Sequence, residues 1–376
     1  MKKIVHIIPG ESDHLSLSII DSILDTSSYN HFFIITRISK KGHYVLNANT
    51  QRIDKNSFEN EYIRIFNKHL NNDYRFSYNV ISLYIILHSL RSNPIILHAG
   101  NRAVRNTVLL LGSKNISWVC WGSGFKKNEN GSIKGKLRNF FKQLYIKKYN
   151  SVLCLMSPDA EYIQNEYCKK NTIVMPYVGR RKVTSISEDR ALAQKISTNQ
   201  VLLGNSPRQI DSYLKNIYDL KRFSNSIYIT CMLNYGLLKN DKYIKLKEEG
   251  NQLFGERFHL DEKFYNTNDY YNFIESKNIY ICDYETQSGL GAISTNLILG
   301  NKVFLSGYNY NWIKELGYIV FHYNEILEMS TEEFLKPLST EEKSYNYHLN
   351  KRLIEKNIIN RESFFDQILN NGDVVS

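Results

Sequence analysis

The chain has 376 residues, 42% hydrophobic and 23% charged, close to the soluble globular average, which excludes disordered, collagen-like and coiled-coil readings. At about 150 residues per domain the length predicts two domains, each able to bury a core without staples. The net charge of +11 predicts attraction to something anionic: nucleic acid, nucleotide phosphates or a membrane surface.

The start, Met1-Lys2-Lys3 and then five apolar or His residues before Pro9-Gly10, is too short for a signal peptide and predicts a first buried strand. The longest apolar runs, 80–90 and 108–111, are broken by Ser, His or Gly and fall short of the roughly 20 residues of a membrane span. An integral membrane protein is therefore not expected. Strands are expected over 4–8, 32–36, 62–65, 95–98, 118–121 and 151–155, with helical spacing over 16–25, 79–90 and 102–112. Five scattered cysteines fit a reducing cytoplasm better than a disulfide or zinc framework.

Between positions 125 and 150 stand eight basic residues against one acid, so the positive charge is a patch. Leu137, Phe140, Phe141, Leu144 and Tyr145 recur there at helical spacing, with Lys136, Arg138, Lys142 and Lys147 towards the other faces and Lys148 after them. Such a helix could rest on an anionic bilayer or could turn its apolar face to the core and leave the lysines solvated; periodicity does not separate the two.

The segment 179–200 is polar and reads as a linker, with room for a short helix. A second alternating series follows, with strands over 201–203, 226–232, 258–260, 278–282, 303–305 and 319–321 and helices over 211–223, 241–253, 268–276 and 291–299. The fold class is α/β: two Rossmann-like domains facing across a cleft, at 1–178 and 201–340, and a helical segment over 341–376 that packs back on them.

Two strand ends carry phosphate-binding chemistry. After the strand at 201–203, Gly204 permits close backbone approach, Asn205 and Ser206 are small and polar, and Arg208 offers a counter-charge; an ordinary capped turn is the plain alternative. Gln287-Ser288-Gly289-Leu290-Gly291 precedes a helix, whose free N–H groups and dipole suit a diphosphate, though a packing turn would look the same. Tyr235 and Glu262-Lys263 close two further strand ends, so four neighbouring ends together suggest a nucleotide-sugar pocket.

The order Gly204-Asn205-Ser206, Asn234-Tyr235, Leu260-Asp261-Glu262-Lys263, Gln287 to Gly291 and Trp312, with His6, Glu11, His14, His98-Ala99-Gly100 and Trp121-Gly122 in the first half, resembles glycosyltransferase family 56, the TDP-4-acetamido-4,6-dideoxygalactose:lipid II transferases. The resemblance spans most of the chain. It implies a GT-B architecture, a dTDP- or UDP-linked sugar in the C-terminal domain and a lipid-linked glycan acceptor at the N-terminal domain. It implies donor contacts from Gly204, Ser206, Tyr235, Lys263, Gln287, Gly289 and Gly291. His98, at the end of an apolar strand, reads as a hydrogen-bonded structural residue or, secondarily and with Asn101 following, as an acceptor contact, and Trp121 and Gly122 are further acceptor candidates. The family's acid two residues after its Trp-Gly step is Gly124 here, and the Asp of its first loop is Glu11.

In that loop, Glu11, Asp13 and His14 put three titratable groups within four residues. A carboxylate or imidazole there can deprotonate an acceptor hydroxyl, while Asp13 or Ser12 can instead cap the following helix. No Asp-x-Asp pair has a metal-binding context, so no cofactor and no essential metal are expected. The expected function is a peripheral glycosyltransferase at the cytoplasmic face of a bacterial inner membrane, moving a deoxyamino or related sugar from a nucleoside diphosphate to a lipid-linked or surface-glycan acceptor in polysaccharide synthesis. The alternatives are a GT-B enzyme with a soluble acceptor, an epimerase, and a nucleic-acid binder. Nothing resembling a nucleic-acid module supports the last, and nucleic acid is not expected as a partner.

Overall fold

The computed structural model describes residues 3–9, 19–20, 22–23, 26–36, 44–48, 93–98, 115–120, 122–127, 131–176, 186–193, 199–204, 210–233, 241–263, 265 and 267–370. The chain divides into two compact units, Met1–Arg180 with Glu355–Ser376, and Arg181–Ile354.

In the first unit seven strands form one sheet: β1 (Ile4–Pro9), β2 (His31–Thr36), β3 (Tyr44–Ala48), β4 (Ile95–His98), β5 (Ile116–Cys120), β6 (Val152–Cys154) and β7 (Thr172–Val174), in the order β3-β2-β1-β4-β5-β6-β7. Every pairing is parallel except β2 with the edge strand β3. The central strands are buried on both faces, which is why they read as continuous apolar runs rather than alternating ones. Val5, Ile7, Ile95, Leu97 and Trp118 face one layer, where the helices Ile133–Lys148 and Ser157–Tyr167 contribute Tyr145, Ile146, Ala160 and Ile163. Ile4, Ile8, Phe33, Ile96 and Val119 face the other, closed by Ile19, Ile20 and Ile23 and by Phe364, Phe365 and Ile368 of the last helix.

The second unit holds a six-stranded, wholly parallel sheet: β8 (Gln200–Leu203), β9 (Tyr228–Met232), β10 (Phe258–Asp261), β11 (Ile279–Cys282), β12 (Lys302–Leu305) and β13 (Phe321–His322), in the order β10-β9-β8-β11-β12-β13. Crossover helices such as Ile210–Asp219, Asp241–Phe254 and Leu290–Ile298 link successive strands, as parallel pairing requires. The strand order reverses on either side of β8 and β11, and the carboxyl ends of those two strands are where such sheets bind ligands.

All six strands expected in the second unit are present. In the first, the expected strand over 62–65 and the helices over 79–90 and 102–112 lie outside the described residues, and that over 16–25 is helical at the four positions described. Sequence reading did not anticipate β3 and β7, or the helices Ser157–Tyr167 and Gly307–Glu315. A short helix, Glu188–Leu192, occupies the polar linker. The last helix, Thr340–Asn370, is continuous, and the boundary between the units falls within it at Ile354 and Glu355.

Candidate functional site

At the end of β8 the chain turns at Gly204, with φ of +57° and its N–H donating to the Ile281 carbonyl at 2.8 Å. A Cβ there would stand 2.2 Å from the ring of Tyr213, whose hydroxyl donates to the Met232 carbonyl at 3.1 Å. Glycine is thus required by backbone sign and by packing, and the Tyr213 ring ties together the ends of β8 and β9. Asn205, Ser206, Arg208 and Tyr235 lie outside the described residues.

Asp283 follows β11, and its two oxygens are divided between neighbours: Oδ2 accepts from Lys215 Nζ at 2.8 Å and Oδ1 from Ser306 Oγ at 2.7 Å. With its amide oriented to satisfy its surroundings, Asn216 donates to Asp283 Oδ2 at 3.2 Å and to the Tyr323 hydroxyl at 2.9 Å. That hydroxyl donates to Asp219 Oδ2 at 2.7 Å, and burial beside this carboxylate raises its pKa. The network locks the carboxyl edge of β11 and β12 into one polar frame.

The candidate diphosphate loop hangs from this frame. Gly307, with φ of +55°, lies so close to Glu285 that a Cβ would approach its Cα to 2.6 Å. Tyr308 N–H donates to the Glu285 carbonyl at 3.3 Å and Asn309 Nδ2 to the Ser288 carbonyl at 3.0 Å. Gln287 and Ser288 are half-buried, and Gly289, at φ of +67°, feeds the chain into the Leu290–Ile298 helix. At Gly291, by contrast, no heavy atom stands within 4 Å of where a Cβ would be. Only Gly289 of the pair is a conformational necessity, while Gly291 leaves the helix entrance open.

At the end of β10, Glu262 accepts from the Tyr243 hydroxyl, while Lys263 N–H donates to Asp261 Oδ1 at 3.1 Å. Lys263 Nζ stands 5.2 Å from the centroid of Tyr265, which stacks on Phe273 at 4.8 Å. The second unit therefore gathers Gly204, Glu262, Lys263 and Gln287 to Gly291 at the carboxyl ends of one sheet. Sequence reading missed Asp283, Ser306 and Asn309, each at or just beyond such an end; their position was the available signal.

In the first unit, His98 ends β4 and belongs to a buried line of imidazoles. His6 Nδ1 lies 3.0 Å from His98 Nε2, His6 Nε2 lies 2.9 Å from His31 Nδ1, and His31 Nε2 lies 2.7 Å from Ser27 Oγ. Burial pushes His98 down to about 3, and burial with the Arg361 charge takes His31 to about 4. His6 is lowered by burial first, then by His31, His98 and Arg361. Arg361, from the last helix, donates to Ser22 Oγ at 3.1 Å, to the Ser22 carbonyl at 2.9 Å and to Thr26 Oγ1. Glu11, Asp13, His14, Asn101 and Trp121 lie outside the described residues, and Gly122 opens a short 3-10 turn, Gly122–Phe125. Asp159, near the start of the Ser157–Tyr167 helix, is fully buried with no hydrogen-bond partner on either oxygen among the described residues, and burial lifts its carboxyl to about 7 against the opposing pull of the Lys126 charge.

The Ile133–Lys148 helix starts at Ser132, whose hydroxyl accepts from Gly135 N–H at 3.1 Å, and contains no acidic residue. Its apolar stripe faces outward: Ile133 is 87% exposed, Leu137 and Phe140 55%, Phe141 47% and Leu144 37%. Lys134, Lys136, Arg138, Lys147 and Lys148 are exposed around it. Of the five residues expected on one apolar face, Leu137, Phe140, Phe141 and Leu144 therefore lie outside the core, whereas Tyr145 belongs to it together with Ile146. Lys142 departs from the expected surface set as well. It shares the inner face with Tyr145 and Ile146, three and four positions on, and its ammonium reaches the Lys126 carbonyl. Among the described residues no helix is long and apolar enough to cross a membrane. None of their His, Cys, Asp or Glu side chains form a group of three or more that could hold a metal ion.

No protein-family model matches the chain, and no curated protein matches it in sequence. Its structure is similar to the sucrose-phosphate synthase of Thermosynechococcus elongatus, with a TM-score of 0.65 at 10% identity over 99% of this chain and 100% of that one. It is similar also to the UDP-forming α,α-trehalose-phosphate synthase of Burkholderia vietnamiensis, with a TM-score of 0.61 at 9% identity over 98% of each chain. The pneumococcal O-GlcNAc transferase GtfA, solved with UDP and GlcNAc, gives 0.52 at 10% identity over 76% of this chain and 60% of its own. Two α/β sheets, parallel throughout except at the edge strand β3, together with these neighbours define a GT-B fold of two Rossmann-like domains.

Proposed function

We propose that the protein is a glycosyltransferase that moves a sugar from a nucleoside diphosphate, dTDP or UDP, to a lipid-linked glycan acceptor at the cytoplasmic face of a bacterial inner membrane. The donor reading is supported by the frame at the carboxyl ends of β8 and β11, where Gly204 and the Gln287–Gly291 loop are fixed by Tyr213, Gly307 and Asn309. Backbone N–H groups ahead of a helix stabilise a departing diphosphate without a metal, and Lys263 supplies further positive charge. The names of the structural neighbours, UDP-forming or solved with UDP, accord with a nucleotide donor.

The observation that carries the acceptor reading is the outward-facing apolar stripe of Ile133–Lys148 within a ring of basic side chains. An apolar stripe inserts among acyl chains while lysines meet anionic headgroups, each contributing roughly 1 kcal/mol. A lipid-linked acceptor is presented at that same surface.

The donor half is tested by thermal-shift screening with UDP, dTDP, GDP and CMP. A nucleotide at a hundred times its dissociation constant stabilises by about 2.7 kcal/mol. No shift with any of the four removes the nucleotide-sugar reading. We assign the base to Glu11 or His14: Glu11→Gln or His14→Ala should lower turnover by about a hundredfold to ten-thousandfold with donor affinity unchanged. Near-normal turnover in both variants would remove that assignment.

A further inference from the structure

Arg361 is only 4% exposed, and a cation taken out of water is tolerated when opposite charge or a full set of hydrogen bonds replaces the solvent. Its surroundings supply neither. Nη1 donates to Ser22 Oγ at 3.1 Å, and Nη2 to the Ser22 carbonyl at 2.9 Å and to Thr26 Oγ1, all of them neutral acceptors. Nε has no hydrogen-bond partner among the described residues. Glu362, the next residue along the helix, turns its Oε2 to the Ser28 N–H at 3.3 Å. Burial lowers the Arg361 guanidinium to about 10 despite the opposing effect of the Glu362 charge.

Arg361 also lines a cavity of about 20 Å³, together with His6, His98, Ile96, Val119 and Phe365. Ser22 and Thr26, which hold the two terminal nitrogens, are not among its walls, so Nε is the nitrogen left to serve it. The volume exceeds the roughly 10–15 Å³ that one water-sized occupant needs and is far below the roughly 300 Å³ of a pocket for a sugar or a nucleotide. Only a small occupant fits. His6 and His98 are held neutral by burial, so the wall carries the Arg361 charge and no negative one among the described residues. A water would accept from Nε and leave that charge uncompensated, whereas a small anion answers both. The apolar side chains around it favour an anion that gives up its water readily.

We propose that this cavity is a binding site for one halide-sized monovalent anion, chloride or bromide, held by Nε–H of Arg361. Arg361 joins the last helix to residues 22–26 on one face of the first sheet, so the anion would fasten the end of the chain to the unit it closes. The site is independent of the transfer reading above.

The test follows urea unfolding of the full chain in chloride or bromide, with ionic strength held constant by gluconate, an anion too large for the cavity. The unfolding midpoint should rise saturably with either halide, the folding equilibrium constant increasing about elevenfold at ten times the dissociation constant. Arg361→Gln keeps a polar side chain without the charge and should lose that dependence. No halide dependence in the parent, or the same dependence in the folded Arg361→Gln variant, overturns the proposal. Should Arg361→Gln fail to fold, crystals of the parent soaked in bromide decide: an anomalous peak within hydrogen-bond distance of Arg361 Nε supports the site, and a water alone at that position overturns it.

Discussion

The ring of Tyr213 fills the space that any side chain at position 204 would need, with Cε1 2.2 Å from the place of a Cβ. Gly204→Ala therefore meets both a positive φ and a collision, and should cost about 2–5 kcal/mol. Tyr213→Phe removes only the bond to the Met232 carbonyl and should cost about 1 kcal/mol. Comparing urea midpoints of the two variants checks the order. Gly204→Ala as stable as the parent would show that the turn relaxes freely and is not a fixed part of the frame.

The loop before the Leu290–Ile298 helix separates conformation from access. Gly289→Val imposes a side chain at φ of +67° and should abolish nucleotide binding while the rest of the unit stays folded. Gly291→Ala adds a methyl into open space within a helix, and should raise stability by up to about 1 kcal/mol. Circular dichroism together with nucleotide titration distinguishes the two; equal nucleotide affinity in both variants would place the diphosphate elsewhere.

On the Ile133–Lys148 helix, Phe140→Glu with Phe141→Glu should reduce sedimentation with anionic vesicles while changing stability by no more than about 0.5 kcal/mol. Lys147→Glu with Lys148→Glu should weaken vesicle binding, more so at low salt. Lys142→Met should do the reverse: it costs about 1–3 kcal/mol of stability because the Lys126 carbonyl loses its partner, and leaves vesicle binding unaltered. Loss of vesicle binding in the Lys142 variant alone would contradict the buried placement.

The imidazole line sets an acid limit on the first unit. The unfolded rings bind protons below about 6.5, whereas the folded rings resist until about 4 for His31 and about 3 for His98. The unfolded state therefore holds more protons as the pH falls from 6.5, and stability present above that value is lost at up to about 1.4 kcal/mol per pH unit for each ring. Asp159 acts in the opposite sense: its folded value, raised from 3.8 to about 7, means stability is lost as the pH rises across that interval. Asp159→Asn should raise stability at pH 7 by on the order of 1–3 kcal/mol and flatten the alkaline side of the profile. Chemical denaturation across pH 4 to 8 reads both slopes.

The parallel strands were legible because burial on both faces writes them as short apolar runs, and the crossovers in the second unit followed from that. The edge strands of the first sheet were not: β3 and β7 are short and pair on one side only, and β7 is partly exposed, so neither forms a long buried run. Gly204 and Gly289 could be singled out because glycine at a strand end or ahead of a helix admits close backbone approach to an anion, and the structure adds that both have positive φ. Asp283, Ser306 and Asn309 could not, since their roles depend on partners brought together from separate crossovers. The lysines of the basic patch look alike in sequence, and only the inward face of the helix, marked by Tyr145 and Ile146, distinguishes Lys142 from the rest.

The last helix imposes a timetable on synthesis. One face of the first sheet, with Ile4, Ile8 and His6, is closed by Phe364, Phe365 and Ile368, which are translated more than three hundred positions later. Everything assigned to the second unit lies between them, at Arg181–Ile354. At about 5–20 residues per second, the later-encoded unit can complete its sheet while the earlier one still waits, its apolar face open, for the final turns to leave the ribosome. The unit begun before Arg181–Ile354 is thus completed only after it, and in a nascent chain its open face is the one a chaperone would need to cover.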